Sequence, residues 1–137
     1  MLFRSQFYYV APELLKIGGT DQPWLYTSGC QAETDLGFRL LEKDAAPARY
    51  TVRLHFAEPD EIAVGQRVFQ VSLQGEPVLR DFDIVQQASG PRRALVKEFR
   101  GIRVTGELTI GLRSAAPACP RPPILCALEA LREADQP

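Results

Sequence analysis

The chain has 137 residues, 45% of them apolar and 24% charged, with 16 basic against 17 acidic side chains and a net charge of −1. A single domain of this size can bury a core without disulfide or metal staples, and a balanced charge with no basic stripe excludes an electrostatic nucleic-acid binder. No apolar run approaches the roughly 20 residues that span a bilayer, and the eleven prolines are spread along the chain, which favours a loop-rich β fold over a helical one.

In chain order, Phe7–Val10 is a short aromatic β segment, and Ala11–Lys16 is a candidate helical turn with Pro12 in its first turn. Ile17–Pro23 reads as a loop. Trp24–Thr27 and Leu36–Leu41 read as strands separated by the polar stretch Ser28–Asp35, and Lys43–Arg49 as a connection containing Pro47. Tyr50, Val52, Leu54 and Phe56 then fall on alternate positions, as do Phe69, Val71 and Leu73, the period of a strand with one buried face. Gln74-Gly75 stands where a hairpin turn needs positive φ. Val78-Leu79 resumes the apolar run and Asp81–Val85 closes it, followed by a loop over Gln86–Arg93. Leu95–Arg100, Ile102–Val104 and Glu107–Leu112 are strands, with Gly101 a bulge or bend and Thr105-Gly106 a turn. Ser114–Pro123 is a proline-rich loop, Ile124–Leu131 the last strand, and residues 132–137 a polar tail. Eight or more short strands at regular spacing predict an all-β, antiparallel sandwich.

Several blocks in this order and spacing, Leu-His-Phe-Ala-Glu at 54–58, Gly-Gln-Arg-Val-Phe at 65–69, Asp-Phe-Asp-Ile-Val at 81–85, Ala-Leu-Val-Lys-Glu-Phe at 94–99 and Pro-Pro-Ile-Leu-Cys-Ala-Leu-Glu at 122–129, resemble the malectin domain family. The resemblance covers residues 17–131 and is weak over 1–16. It implies a jelly-roll sandwich of the galactose-binding-like type, a carbohydrate-binding, lectin-like module with no cofactor and no chemistry of its own, whose partner is an oligosaccharide. It also implies an opening strand and a glycine-rich motif before residue 17 that are missing here, so the expectation is a shortened domain or a piece of a longer chain. No secretory signal is recognisable, which at face value means a cytoplasmic protein, or an extracytoplasmic one if the chain is part of a longer exported protein.

A sugar site needs an aromatic face for the C–H face of a pyranose and carboxylates or amides for its hydroxyls. The family pattern places an aromatic pair in the loop after Phe-Ala-Glu, where this chain has Asp60 and Glu61. It places a further aromatic after a Leu-Tyr pair, where this chain has Ser28–Gln31 after Leu25-Tyr26, and an acid before the closing segment, where this chain has Arg121. The candidate carbohydrate-binding residues are therefore Tyr8, Tyr9, Trp24 and Tyr26 as platforms, with Gln31, Asp60, Glu61 and Arg121 as polar partners. Five have a plainer reading: Tyr26 as packing, Trp24 as a cover over the core end, Asp60 and Glu61 as solvated charges, Arg121 as surface. The sole histidine, His55, reads as packing or a hydrogen bond rather than catalysis. Glu58 reads as a loop anchor through backbone N–H groups. Asp81 and Asp83, on one strand face, read as loop hydrogen-bonding groups ahead of an acid–base pair or a calcium ligand set.

Three cysteines, at 30, 119 and 126, make no disulfide framework, and one histidine with no Cys-x-x-Cys makes no zinc site. A Cys30–Cys119 bridge is the one pairing open to an exported chain, while Cys126 reads as a small hydrophobe. Three readings survive, a glycan-binding module, a sandwich that has lost sugar binding and serves as a protein-interaction or accessory domain, and, last, an enzyme. A glycosidase using Asp81 and Asp83, or Asp60 and Glu61, has no recognisable nucleophile–base set.

Overall fold

The computed structural model describes residues 7–9, 17–115 and 121–134, with residues 7–9, 23 and 24 described through their backbone alone. Among them lie ten strands: β1 (Phe7–Tyr9), β2 (Ser28–Gln31), β3 (Thr34–Arg39), β4 (Ala48–Phe56), β5 (Val68–Leu73), β6 (Glu76–Asp83), β7 (Leu95–Val104), β8 (Glu107–Ser114), β9 (Ile124–Leu125) and β10 (Ala127–Arg132). They form an antiparallel four-stranded sheet in the order β3-β8-β5-β6, a three-stranded sheet β10-β4-β7, and a small sheet β1-β2-β9. The predicted all-β sandwich is what the chain forms.

Alternation explains the layers. Tyr50, Val52, Leu54 and Phe56 of β4 face Phe69, Val71 and Leu73 of β5 and Leu108, Ile110 and Leu112 of β8 across one core. Each such side chain, fully buried, contributes on the order of 1.5–3 kcal/mol. Phe56, Phe69 and Phe82 meet at tilted or edge-on angles with ring centroids 4.7–6.1 Å apart, the arrangement that ring quadrupoles favour.

Two glycines act as predicted. Gly75 and its neighbour Gln74 take φ of 80° and 52°, which makes the β5–β6 hairpin turn with the twist its strands require. Gly101 is the extra residue of a β-bulge: the pairing slips between Tyr50↔Ile102 and Val52↔Phe99, so Arg100 and Gly101 together oppose Thr51. The backbone N–H that the bulge frees donates to Glu133 Oε1 at 2.6 Å.

Five expectations need correction. Trp24–Thr27 is not a strand: residues Pro23–Tyr26 form a 3-10 turn, begun by Pro23 and closed by Leu25 N–H to Gln22 C=O. The polar stretch Ser28–Asp35 does not merely separate strands but contains one, because β2 is claimed on both sides by β1 and β9, a tertiary demand with no local signal. The apolar run 81–85 does not continue as strand: Asp83 caps a short helix, α1 (Ile84–Ala88), by accepting from Gln86 N–H. Asp81 and Asp83 do not share a face, since Asp81 takes φ 48° at an irregularity in the β5–β6 ladder and stays exposed, while Asp83 is buried. Asp83 does bond loop and cap N–H groups, those of Gly65 and Gln86, whereas Asp81 makes a two-way bond across the β5–β6 pair with the Gln70 amide. The single last strand is in fact two, because at Cys126 the chain passes from β2 to β4, its N–H donating to His55 C=O. Cys30 is a buried free thiol, and Cys126 Sγ lies 3.9 Å from Tyr26 C=O and 3.8 Å from Ala57 C=O; Cys119, Val10 and the helical turn expected at 11–16 lie outside the described residues.

Candidate functional site

The loop end of the sandwich is organised by an arginine that points inward. Arg67 precedes Phe69 by two residues, so it shares the core-facing phase of β5 and is only 2% exposed. Its guanidinium forks onto Glu58, also fully buried, with Nε to Oε2 at 2.6 Å and Nη2 to Oε1 at 3.1 Å. Its Nη1 donates to Pro122 C=O at 2.6 Å, and Nη2 reaches Asp60 Oδ2 at 3.4 Å. Arg121 Nη1 closes the network on the same Asp60 oxygen at 2.8 Å. A paired, forked charge is the form in which a buried ion survives.

The network fixes three loops. Glu58 Oε1 accepts Asp60 N–H at 3.2 Å, the backbone anchoring expected of it, and Glu58 C=O accepts Arg92 N–H at 2.8 Å. Arg92 then holds Glu61 at 3.0 Å. At the far end of the same loop, Asp83 Oδ2 accepts Gly65 N–H at 2.6 Å. The β4–β5 loop is thus pinned by carboxylates at both ends.

A second network crosses the outer face of β4. Tyr26 lies 2.8 Å from His55 Nδ1, and His55 Nε2 lies 2.6 Å from Glu129 Oε1. The neutral tautomer with the proton on Nε2 satisfies both ends, accepting from the phenol and donating to the carboxylate. His55 is therefore the hydrogen-bonding residue expected. Burial, then the neighbouring Cys126 and Glu129, push the Tyr26 phenol above its ordinary value. Beyond Glu129, Arg53 and Arg100 share Glu98, whose carboxyl these two bonds hold below the usual range.

The predicted binding residues divide accordingly. Asp60 and Arg121 meet in an ion pair, with Glu61 alongside on Arg92. Tyr26 is 2% exposed: its ring packs with Ile17 and Ala57 and its hydroxyl is held by His55. Gln31 is half-buried at the end of β2 and pairs with Ile124. Tyr8 and Tyr9 pair along β1 with Gly29 and Ser28, and Trp24 sits in the 3-10 turn; their side chains lie outside the described residues. Among the aromatic residues whose exposure is described, only Phe38 is classed as exposed, and it stands on β3 rather than in this loop. Among the described residues no three His, Cys, Asp or Glu side chains cluster as metal ligands. Sequence reasoning missed Arg67 and the Tyr26–His55–Glu129 chain; for Arg67 the signal was present, an arginine in phase with three core residues.

The family model described as Malectin domain matches residues 5–117. A probable leucine-rich repeat receptor-like serine/threonine-protein kinase of Arabidopsis thaliana is 34% identical over 97 residues, which cover 66% of this chain and 9% of that protein. The chain therefore spans less than a tenth of that relative. Among solved structures, the ANXUR1 extracellular domain from Arabidopsis thaliana superposes with a TM-score of 0.73 at 15% identity, covering 96% of this chain and 39% of that one. A structure of the plant peptide RALF23 in complex with FER and LLG2 gives a TM-score of 0.73 at 16% identity, covering 95% of this chain and 40% of the other. At these identities the likeness establishes the fold.

Proposed function

Because this chain belongs to the malectin domain family, we propose that it is a non-catalytic recognition module, and that its partner is a protein or peptide rather than a sugar. The observation that carries this is Asp60. It stands where the family pattern puts a stacking aromatic, and it is held between Arg67 and Arg121 at 3.4 and 2.8 Å. A charge neutralised by two guanidiniums offers no apolar face to a pyranose. Tyr26 is buried, so the described part of the loop end supplies charge and shape but no exposed ring. A rim of fixed, paired charges suits a protein surface, where complementary potentials set specificity. The solved complex of FER and LLG2 with a peptide supports the same class of partner for a related sandwich.

The test is selection of a displayed random-peptide library on the intact chain, followed by titration of the resynthesised winners. Saturable one-to-one binding by peptides is expected; no enrichment over an unrelated sandwich overturns the reading.

Glycan binding is the second reading. It is favoured by the accessibility of the Asp60, Glu61 and Arg121 side chains, which keep 47, 70 and 38% of their surface and can bond hydroxyls if Trp24, Tyr8 or Tyr9 supplies the ring. Under it the affinity is weak, since one shallow site makes few contacts.

A further inference from the structure

Resting on the reading that the partner is a peptide or protein, we infer that the flank between β3 and β10 docks an extended segment that alternates apolar side chains and ends in acidic residues. Each of these strands is the last in its sheet among the described residues: β3 pairs only with β8, and β10 only with β4. Their free edges border one groove of about 520 Å³, lined by Cys30, Leu36, Phe38, Leu125 and Leu128, a size within the range of ligand sites. Leu36 and Phe38 share the inward phase of β3, yet Phe38 remains 38% exposed because nothing described continues the layer over it. An unpaired strand edge beside pockets for alternate side chains is the arrangement that accepts a peptide as an added strand.

Charge completes the specification. Further along the same two strands, a second recess is lined by Arg39, Leu40, Leu41, Glu42 and Arg132. None of the ion pairs among the described residues includes Arg39 or Arg132. Glu107 opposes Arg39 across the ladder but turns its carboxylate over Gly37, where a Cβ would collide with it. Among the described residues that line it, two guanidiniums outside any ion pair stand against one carboxylate, Glu42, which makes this end positive. From Ala127 to Arg132 the edge runs about 17 Å at the usual rise per residue, long enough for a segment of about six residues with its acids at the arginine end.

The peptides selected on the intact chain provide the probes. Fluorescein-labelled winners are titrated by anisotropy against the native chain, Phe38→Asp, and the double variant Arg39→Glu/Arg132→Glu. All three sites are exposed, and unchanged melting confirms that the variants fold. The expected winners alternate apolar residues with an acidic end, and both variants bind them at least tenfold more weakly. Winners that bind both variants as well as the native chain overturn this site while leaving peptide recognition standing. No winners at all sink both. A native dimer that Phe38→Asp dissociates also overturns the assignment, because the groove then belongs to a second copy.

Discussion

Glu58 and Arg67 form the buried ion pair that holds the loop end together. Removing one member of a buried pair strands the other without a counter-charge, a cost of about 3–5 kcal/mol. Arg67→Met is expected to lose that much in denaturant unfolding, and Glu58→Leu/Arg67→Met to regain most of it, because the second change removes the stranded charge. Equal losses in the single and double variants would show that the pair acts through its other contacts. Tyr26→Phe is milder, since it leaves the acceptor Nδ1 of His55 without its donor at a cost of about 1–3 kcal/mol, read from the same unfolding curve. How much of this was legible in the sequence differs residue by residue. The phase of Arg67 with Phe69, Val71 and Leu73 already put a guanidinium inside. That Glu58 would meet it was not legible, because the meeting depends on how the intervening loop folds back. His55 on the outward phase of β4 was legible as a hydrogen-bonding residue. Its partners Tyr26 and Glu129 come from 29 residues before and 74 after, distances over which a single sequence carries no pairing information.

Elements were legible where a local rule governs them and illegible where a neighbour does. Alternation predicted β4 and β5, and a glycine inside a strand pattern predicted a bulge or bend in β7. The strand β2 has no alternation of its own and exists because β1 and β9 flank it. The 3-10 turn and α1 are short enough that Pro23 and the Asp83 cap decide them against the apolar run. The bulge gives a clean test. Gly101 takes φ 71°, and an added Cβ would meet nothing within 4 Å. Gly101→Ala should therefore cost only the left-handed backbone strain, about 1 kcal/mol in chemical denaturation. A loss several times larger would mean that the bulge is packed rather than merely bent.

For the whole molecule, stability in alkali follows from burial. Burial pushes the Cys30 thiol up, as it does the Tyr26 phenol. A group whose folded value is raised stabilises fully below its unfolded value, and that contribution is lost as pH rises toward the folded one. Folding stability should accordingly hold to about pH 8.5, where an unfolded thiol ionises, and decline above it, with a second decline beyond about pH 10 from the phenol. Cys30→Ala should flatten the first decline in unfolding curves taken between these values; an unchanged slope would assign it to other groups. The fold as a whole was legible, and so was the family, because strand blocks in register survive substitution of the loops. The partner was less legible, because the same resemblance that predicts a sugar site also marks Asp60, Glu61 and Arg121 as the positions where this chain differs.

The central claim is that the loop end, with Asp60 tied to Arg67 and Arg121, is not a sugar platform. Glycan-array binding by the intact chain, read beside the fluorescence of its sole tryptophan, Trp24, tests this most directly. No saturable signal is expected on the array, and no sugar-dependent change in emission. Saturable binding of one sugar class by the native chain, lost on Asp60→Ala or Arg121→Ala, would contradict it and identify the paired charges as the sugar's own ligands.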